Sequence, residues 1–250
     1  MQILLLLIVS VALAAGCGVE GDARGEPPGA SGGLVLQVEQ RAGGPLPPGP
    51  APASLTLALY ADGRVFRPDP VPAIYPGPAL PTFSVSRISR ERVEDVLADV
   101  RAAGILDPEP EETVPDGGVT VVTAVVDGEP RTVGLPNGSG VALRFERALR
   151  GLPPFGERRY DPHALAMLAI RVDDVLIPDH DFEPMPTTFP WPAGELAPGC
   201  AIVRGPELER VLADAGRANQ LTRWRSGGAL YAVAFRPLLP GESSCADVAA

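Results

Sequence analysis

Two histidines and three cysteines are all that this 250-residue chain offers to imidazole or thiol chemistry, and it has no surplus of positive charge. With 21 basic side chains against 31 acidic ones the net charge is −10, and no Lys/Arg cluster interrupts it. That balance opposes both a phosphate backbone and an anionic lipid surface, which argues against nucleic acid as a partner. A Walker loop, G-x-G-x-x-G, H-E-x-x-H and CxxC are all missing, so no nucleotide or zinc site is spelled out and no cofactor is expected. The uncharged apolar run over residues 3–15 is too short to cross a bilayer as a helix, which takes roughly 20 residues.

What the chain has in abundance is proline and glycine, 30 and 28 residues, nearly twice the usual share of about 12%. Long connections must therefore separate the regular elements. Hydrophobic residues make up 45%, enough to bury one large core or two modest ones in a chain of this length.

The run over 3–15 has the length of a signal-peptide core. It ends in Ala14-Ala15-Gly16-Cys17, which resembles the lipobox of bacterial lipoproteins, although Ala14 stands where Leu is usual and Met1-Gln2 lacks a basic residue. The resemblance implies a signal peptide over 1–16, a diacylglycerol on Cys17 and a membrane partner held through that lipid. An ordinary secretory cleavage site is the alternative. Acylation of Cys17 would account for the odd cysteine and leave Cys200 and Cys245 to pair in an oxidising compartment, two separate buried thiols being the other reading. Residues 17–33, rich in Gly and Pro without apolar period, read as a tether reaching about 20–25 Å.

Beyond the tether, residues 34–39 and 55–60 alternate as half-buried strands do. Asp62-Gly63 is expected to supply two residues of positive φ for a tight hairpin returning through Val65. Residues 89–104 carry agreeing helix signals: Ser89 as N-cap, a stripe of Val93, Val96, Leu97 and Val100, a staple of Ile88 on Val93, and Gly104 as left-handed terminator. A second hairpin is expected at 119–135 around Asp127-Gly128, and a helix over 141–150 capped by Ser139. Residues 152–162 show no period. A second unit follows, with a strand at 165–172, an irregular Pro-rich passage to Pro198, a strand after Cys200, a helix with Pro206 at its first position, and a hairpin over 221–237. The expectation is an α+β fold, mostly antiparallel, with two to three helices. It divides into an α+β unit over 34–152 and another over 153–250 holding the disulfide, or forms one continuous domain. Both units run strand, helix, hairpin, and both helices contain Val-Leu-Ala-Asp; duplication and chance are both open.

Chemistry has few places to sit. Asp179, His180 and Asp181, between Pro178 and Pro184, form a weak cation-site candidate against the plainer reading of a solvated acidic loop. His163 reads as a polar linker residue. Ser139 lacks the first glycine of a nucleophile elbow and fits better as a helix cap. No catalytic residue is assigned, so an enzyme is disfavoured, the rival being a lipid-anchored hydrolase around His180. For ligand binding the candidates are Tyr75, in a stiff loop with six prolines over 67–81, and Trp191 in a second Pro-rich stretch. Against that stands the reading that these rings tuck back over sheet edges. Trp224 reads as core.

The stretch over 59–65, the VPAIYPGPALP segment within 70–81 and the ending from Ser226 to Cys245 resemble a family of uncharacterised exported lipoproteins of high-GC bacteria. The resemblance implies export and lipidation and carries no known activity. The function expected is that of a membrane-anchored extracytoplasmic lipoprotein, a non-enzymatic binding or cell-envelope accessory protein.

Overall fold

A computed structural model describes residues 32–41, 43, 54–107, 117–172 and 187–248. Its elements in chain order are β1 (Leu34–Arg41), β2 (Ser54–Tyr60), β3 (Arg64–Pro68), β4 (Phe83–Arg87), α1 (Arg90–Ala102), β5 (Val119–Val126), β6 (Glu129–Pro136), α2 (Gly140–Ala148), β7 (Arg158–Arg159), β8 (Ala164–Val172), β9 (Thr188–Pro190), β10 (Gly199–Arg204), α3 (Gly205–Ala215), β11 (Arg223–Ser226) and β12 (Ala229–Pro237). The strands form two sheets, in the orders β6-β5-β1-β2-β3-β4-β7 and β10-β8-β12-β11-β9. Every pairing is antiparallel except β9 with β11, so the fold is a mixed α+β one, mostly antiparallel.

Local chemistry accounts for the first two helices. Ser89 Oγ accepts from the Arg92 N–H at 3.2 Å and opens α1, while Gly104, at φ +67°, lets the chain turn back and bury Ile105. Ser139 does the same for α2, accepting from the Ala142 N–H at 3.2 Å. Val93, Val96 and Val100 face inward from α1, each burial stabilising by about 1.5–3 kcal/mol. They meet Leu57, Leu59, Leu36 and Phe145 in the core between helices and first sheet. α3 opens at Gly205, whose φ of +60° is not helical, and Pro206 sits in the first turn, where its missing N–H has no helical partner to lose.

The β5–β6 turn has Asp127 and Gly128 at φ 53° and 86°, as the two-residue hairpin requires. The β2–β3 turn does not: only Gly63 has positive φ, at +87°, and its N–H bonds back to the Tyr60 carbonyl at 2.9 Å across Ala61 and Asp62. Asp62 instead bonds the Arg64 N–H at 3.1 Å and pairs with the Arg64 guanidinium at 2.7 Å. Beside this turn the Gly33 carbonyl, just before β1, accepts from the Ala61 N–H.

β2 and β4 are buried on both faces, not one. Their second face, carrying Ala58, Tyr60, Phe83 and Val85 with Phe66 of β3 between them, packs on Tyr160 and Leu239. The segment after β12 is thereby drawn in between the sheets. The Tyr60 hydroxyl donates to the Pro240 carbonyl and the Tyr160 hydroxyl to the Leu238 carbonyl, each at 2.8 Å. Glu242 lies buried against Arg236, and Cys245 closes a disulfide with Cys200 across a Cα separation of 6.0 Å. Cys200 sits within β10, not before it. In the second sheet, α3 packs Leu208, Val211 and Ala215 on Leu165, Trp224 and Phe235.

The two halves differ in one topological respect. The hairpin after α1 meets β1 through its first strand, β5, whereas the hairpin after α3 meets β8 through its second, β12.

Candidate functional site

A cleft of about 270 Å³ opens where the two sheets meet. Leu80, Pro81, Thr82 and Phe83 come from the connection into β4, residues 159–162 from β7 and its continuation, Leu212 and Gly216 from the end of α3, and Pro237 from the end of β12.

Tyr160 is the fixed point of this arrangement. Its N–H bonds the Phe83 carbonyl at 2.7 Å, its ring meets Phe66 edge-on at 5.1 Å, and its hydroxyl holds Leu238. Burial, reinforced by the Glu242 charge, pushes its phenol pKa well up, so the group stays a neutral hydrogen-bond donor. The segment before β7 is held equally closely: the Gly156 N–H bonds Ser84 Oγ at 3.0 Å, and a Cβ at Gly156 would lie 2.4 Å from the Ser84 backbone.

Behind Phe83 lies Arg236, its guanidinium 5.5 Å from the ring centroid. Arg236 donates to both Glu242 carboxylate oxygens, at 2.9 and 3.1 Å, and also bonds the Pro237 carbonyl. Burial raises the Glu242 pKa, opposed by the Arg236 charge and the Leu239 N–H at 2.6 Å. Phe83 and Pro237, which line the cleft, are thus backed by a fully bonded ion pair.

At the mouth the charged groups differ in kind. Arg159 and Asp161 are both exposed and lie two apart on extended chain, where side chains share a side. Neither makes an ion pair among the described residues. The lining contains no His, Cys or Ser. Its chemistry is an apolar slot with one cation and one anion at the rim.

The residues singled out from sequence lie elsewhere. Tyr75 is 63% exposed, beside Val71 and Ile74, on a loop whose base is pinned by bonds from Ala79 to Ala218 and from Gln220 to Gly77. Trp191 packs its ring on Trp224 at 5.4 Å and on Phe235 at 6.5 Å, covering the second core as the edge-covering reading expects. Neither lines the cleft. His163 is half-buried with Nδ1 unbonded, beside Arg204 and hydrogen-bonded to the Glu242 backbone, and it too lies off the cleft. It stands in the short connection between β7 and β8, as a linker residue would, with the C-terminal segment beside it. Cys17, Asp179, His180 and Asp181 lie outside the described residues. Among the described residues no group of three His, Cys, Asp or Glu is placed to hold a metal ion, and no helix is long and apolar enough to cross a membrane.

No protein-family model, curated protein or solved structure matches the chain.

The cleft residues escaped the sequence because four separate segments supply them. Arg159 and Asp161 fall in a stretch without apolar period, and Leu80-Pro81 ends a loop whose larger side chains drew attention instead. The one available signal was Arg-Tyr-Asp at 159–161, an aromatic flanked by opposite charges.

Proposed function

We propose that this chain is an exported lipoprotein, acylated on Cys17, that works outside the cytoplasmic membrane as a binding protein, with the cleft between the sheets as its site. The Cys200–Cys245 disulfide supports the compartment, since such bonds persist where the surroundings are oxidising. The observation that carries the binding role is the cleft's make-up: preformed apolar walls with two charges at the rim that make no ion pair among the described residues, the usual equipment of a recognition site.

Two measurements test the two halves of the proposal. Intact mass of the membrane-extracted protein should show acylated Cys17 as first residue; a Cys17→Ser protein that still partitions wholly with membranes overturns the anchor. Chemical-shift titration with a small neutral apolar probe such as isobutanol should move the resonances of Leu80, Tyr160 and Leu212. In a Leu212→Trp protein, where the indole fills the slot, the shifts of Leu80 and Tyr160 should vanish while the disulfide and the β-sheet signal persist. Unchanged shifts in the intact protein would remove the site.

We also read the two strand–helix–hairpin units as related. The shared Val-Leu-Ala-Asp supports this, for Val96 and Val211 are both fully buried and the leucines after them both partly so. The different hairpin strand beside β1 and β8 weighs against it.

A further inference from the structure

We infer that the cleft takes a short zwitterionic peptide, of dipeptide size and with small apolar side chains, its carboxylate meeting Arg159 and its ammonium Asp161. This deepens the reading of the cleft as a binding site and rests on it.

Three observations lead there. The first is volume: about 270 Å³ lies just under the roughly 300–1,000 Å³ range of pockets for drug-sized ligands, so the occupant is smaller than that class. The second is what the walls can offer. Pro81, Pro162 and Pro237 have no N–H and fixed φ, so from them the cleft gains rigid apolar surface and no backbone donor. A peptide finds no backbone donor at these three wall positions, so the charged side chains of the lining are the groups suited to its ends. Among the lining residues Arg159 and Asp161 carry the charges and Thr82 a hydroxyl. The third is charge and spacing. Arg159 and Asp161 stand two residues apart on extended chain, about 6–7 Å between Cα atoms. The two ends of an extended dipeptide are separated by a similar distance, whereas a free amino acid holds both charges on one Cα, about 2.5 Å apart. With one charge of each sign and no ion partner for either among the described residues, the rim favours a ligand bearing both charges over one that is only anionic or only cationic.

The test is a chemical-shift titration of the mature protein with four probes: Ala-Leu, N-acetyl-Ala-Leu, Ala-Leu amide and free leucine. Ala-Leu should bind most tightly. Loss of either terminal charge should weaken binding about two- to fivefold, the worth of an exposed ion pair. Arg159→Gln should erase the difference between Ala-Leu and its amide, and Asp161→Asn the difference between Ala-Leu and its acetylated form; both side chains are exposed and the fold keeps its core without them. Capped peptides binding as tightly as Ala-Leu would overturn the charge reading, and leucine binding more tightly than Ala-Leu would overturn the spacing. In both cases isobutanol still entering the cleft leaves the binding site itself standing. If neither peptide nor isobutanol moves the cleft resonances, both readings fall.

Discussion

The Glu242 carboxylate receives three N–H donors while buried, two from Arg236 and one from the Leu239 backbone. Removing either charged partner would strand the other without water. Glu242→Ala should therefore destabilise by about 3–5 kcal/mol in urea unfolding, whereas replacing Arg236 and Glu242 together by leucine should cost much less, because no charge is then left alone. A double variant as unstable as Glu242→Ala would show that packing, not charge, sets the cost. His163 makes a prediction of the opposite kind, in pH. Burial and then the Arg204 guanidinium hold its imidazole below 6.5, with the Glu242 backbone bond pulling the other way. A base whose folded pKa is depressed adds stability that is present above the unfolded value and lost as pH falls through the folded one. Stability attributable to this ring should thus decline on acidification from about pH 7, and a His163→Gln protein should show a shallower decline. An NMR midpoint for His163 at or above 6.5 would contradict it.

At the scale of elements, the same dipeptide makes two different turns. Asp127-Gly128 forms the two-residue hairpin, but Asp62-Gly63 closes a wider turn in which only the glycine has positive φ. The reason lies outside the dipeptide: Gly63 is held from the residue that follows β4, its carbonyl accepting from the Ile88 N–H at 2.9 Å, and Asp62 is held by Arg64. A Cβ at Gly63 would fall 2.1 Å from the Ile88 carbonyl oxygen, while one at Gly128 would meet nothing within 4 Å. Alanine at Gly128 should cost only the conformational strain, about 1–3 kcal/mol. At Gly63 the loss should be larger, read as a lower thermal midpoint than that of the Gly128→Ala protein. Equal midpoints would mean that β4 yields freely. This contrast also shows what a sequence can tell. The caps of α1 and α2 and the β5–β6 turn depend on neighbours within a few residues, and all three were legible. β7 and β9, of two and three residues, have no room for a period, and each exists only because a partner strand lies alongside. The cleft depends on β7, so the site was hidden where the element was.

For the molecule as a whole, the disulfide closes a loop of 45 residues between an edge strand and the C-terminal segment. By chain-entropy reasoning such a closure stabilises by about 4 kcal/mol, so reduction should lower the urea midpoint accordingly. Thiol titration of unfolded, unreduced mature protein should find none, and two would remove the bond. This pairing was legible only through the reading of Cys17 as acylated, which leaves Cys200 and Cys245 as the two thiols able to pair. Which rings would cover the second core was not: Tyr75 and Trp191 both stand in Pro-rich surroundings, yet Trp191 seals Trp224 and Tyr75 is left outside.

Gly33, just before β1, lies beside the turn between β2 and β3, and the cleft includes Phe83, which faces Pro68 at the other end of β3. Four residue steps of strand, about 13 Å, lie between them. Attachment at Gly33 would therefore leave the cleft on the end turned from the point of attachment, open to whatever diffuses past. Attachment at Val248 would do the reverse, for Val248 packs on Leu238, the neighbour of the cleft-wall residue Pro237. On a sensor surface, the two immobilisations should not give the same access to the cleft.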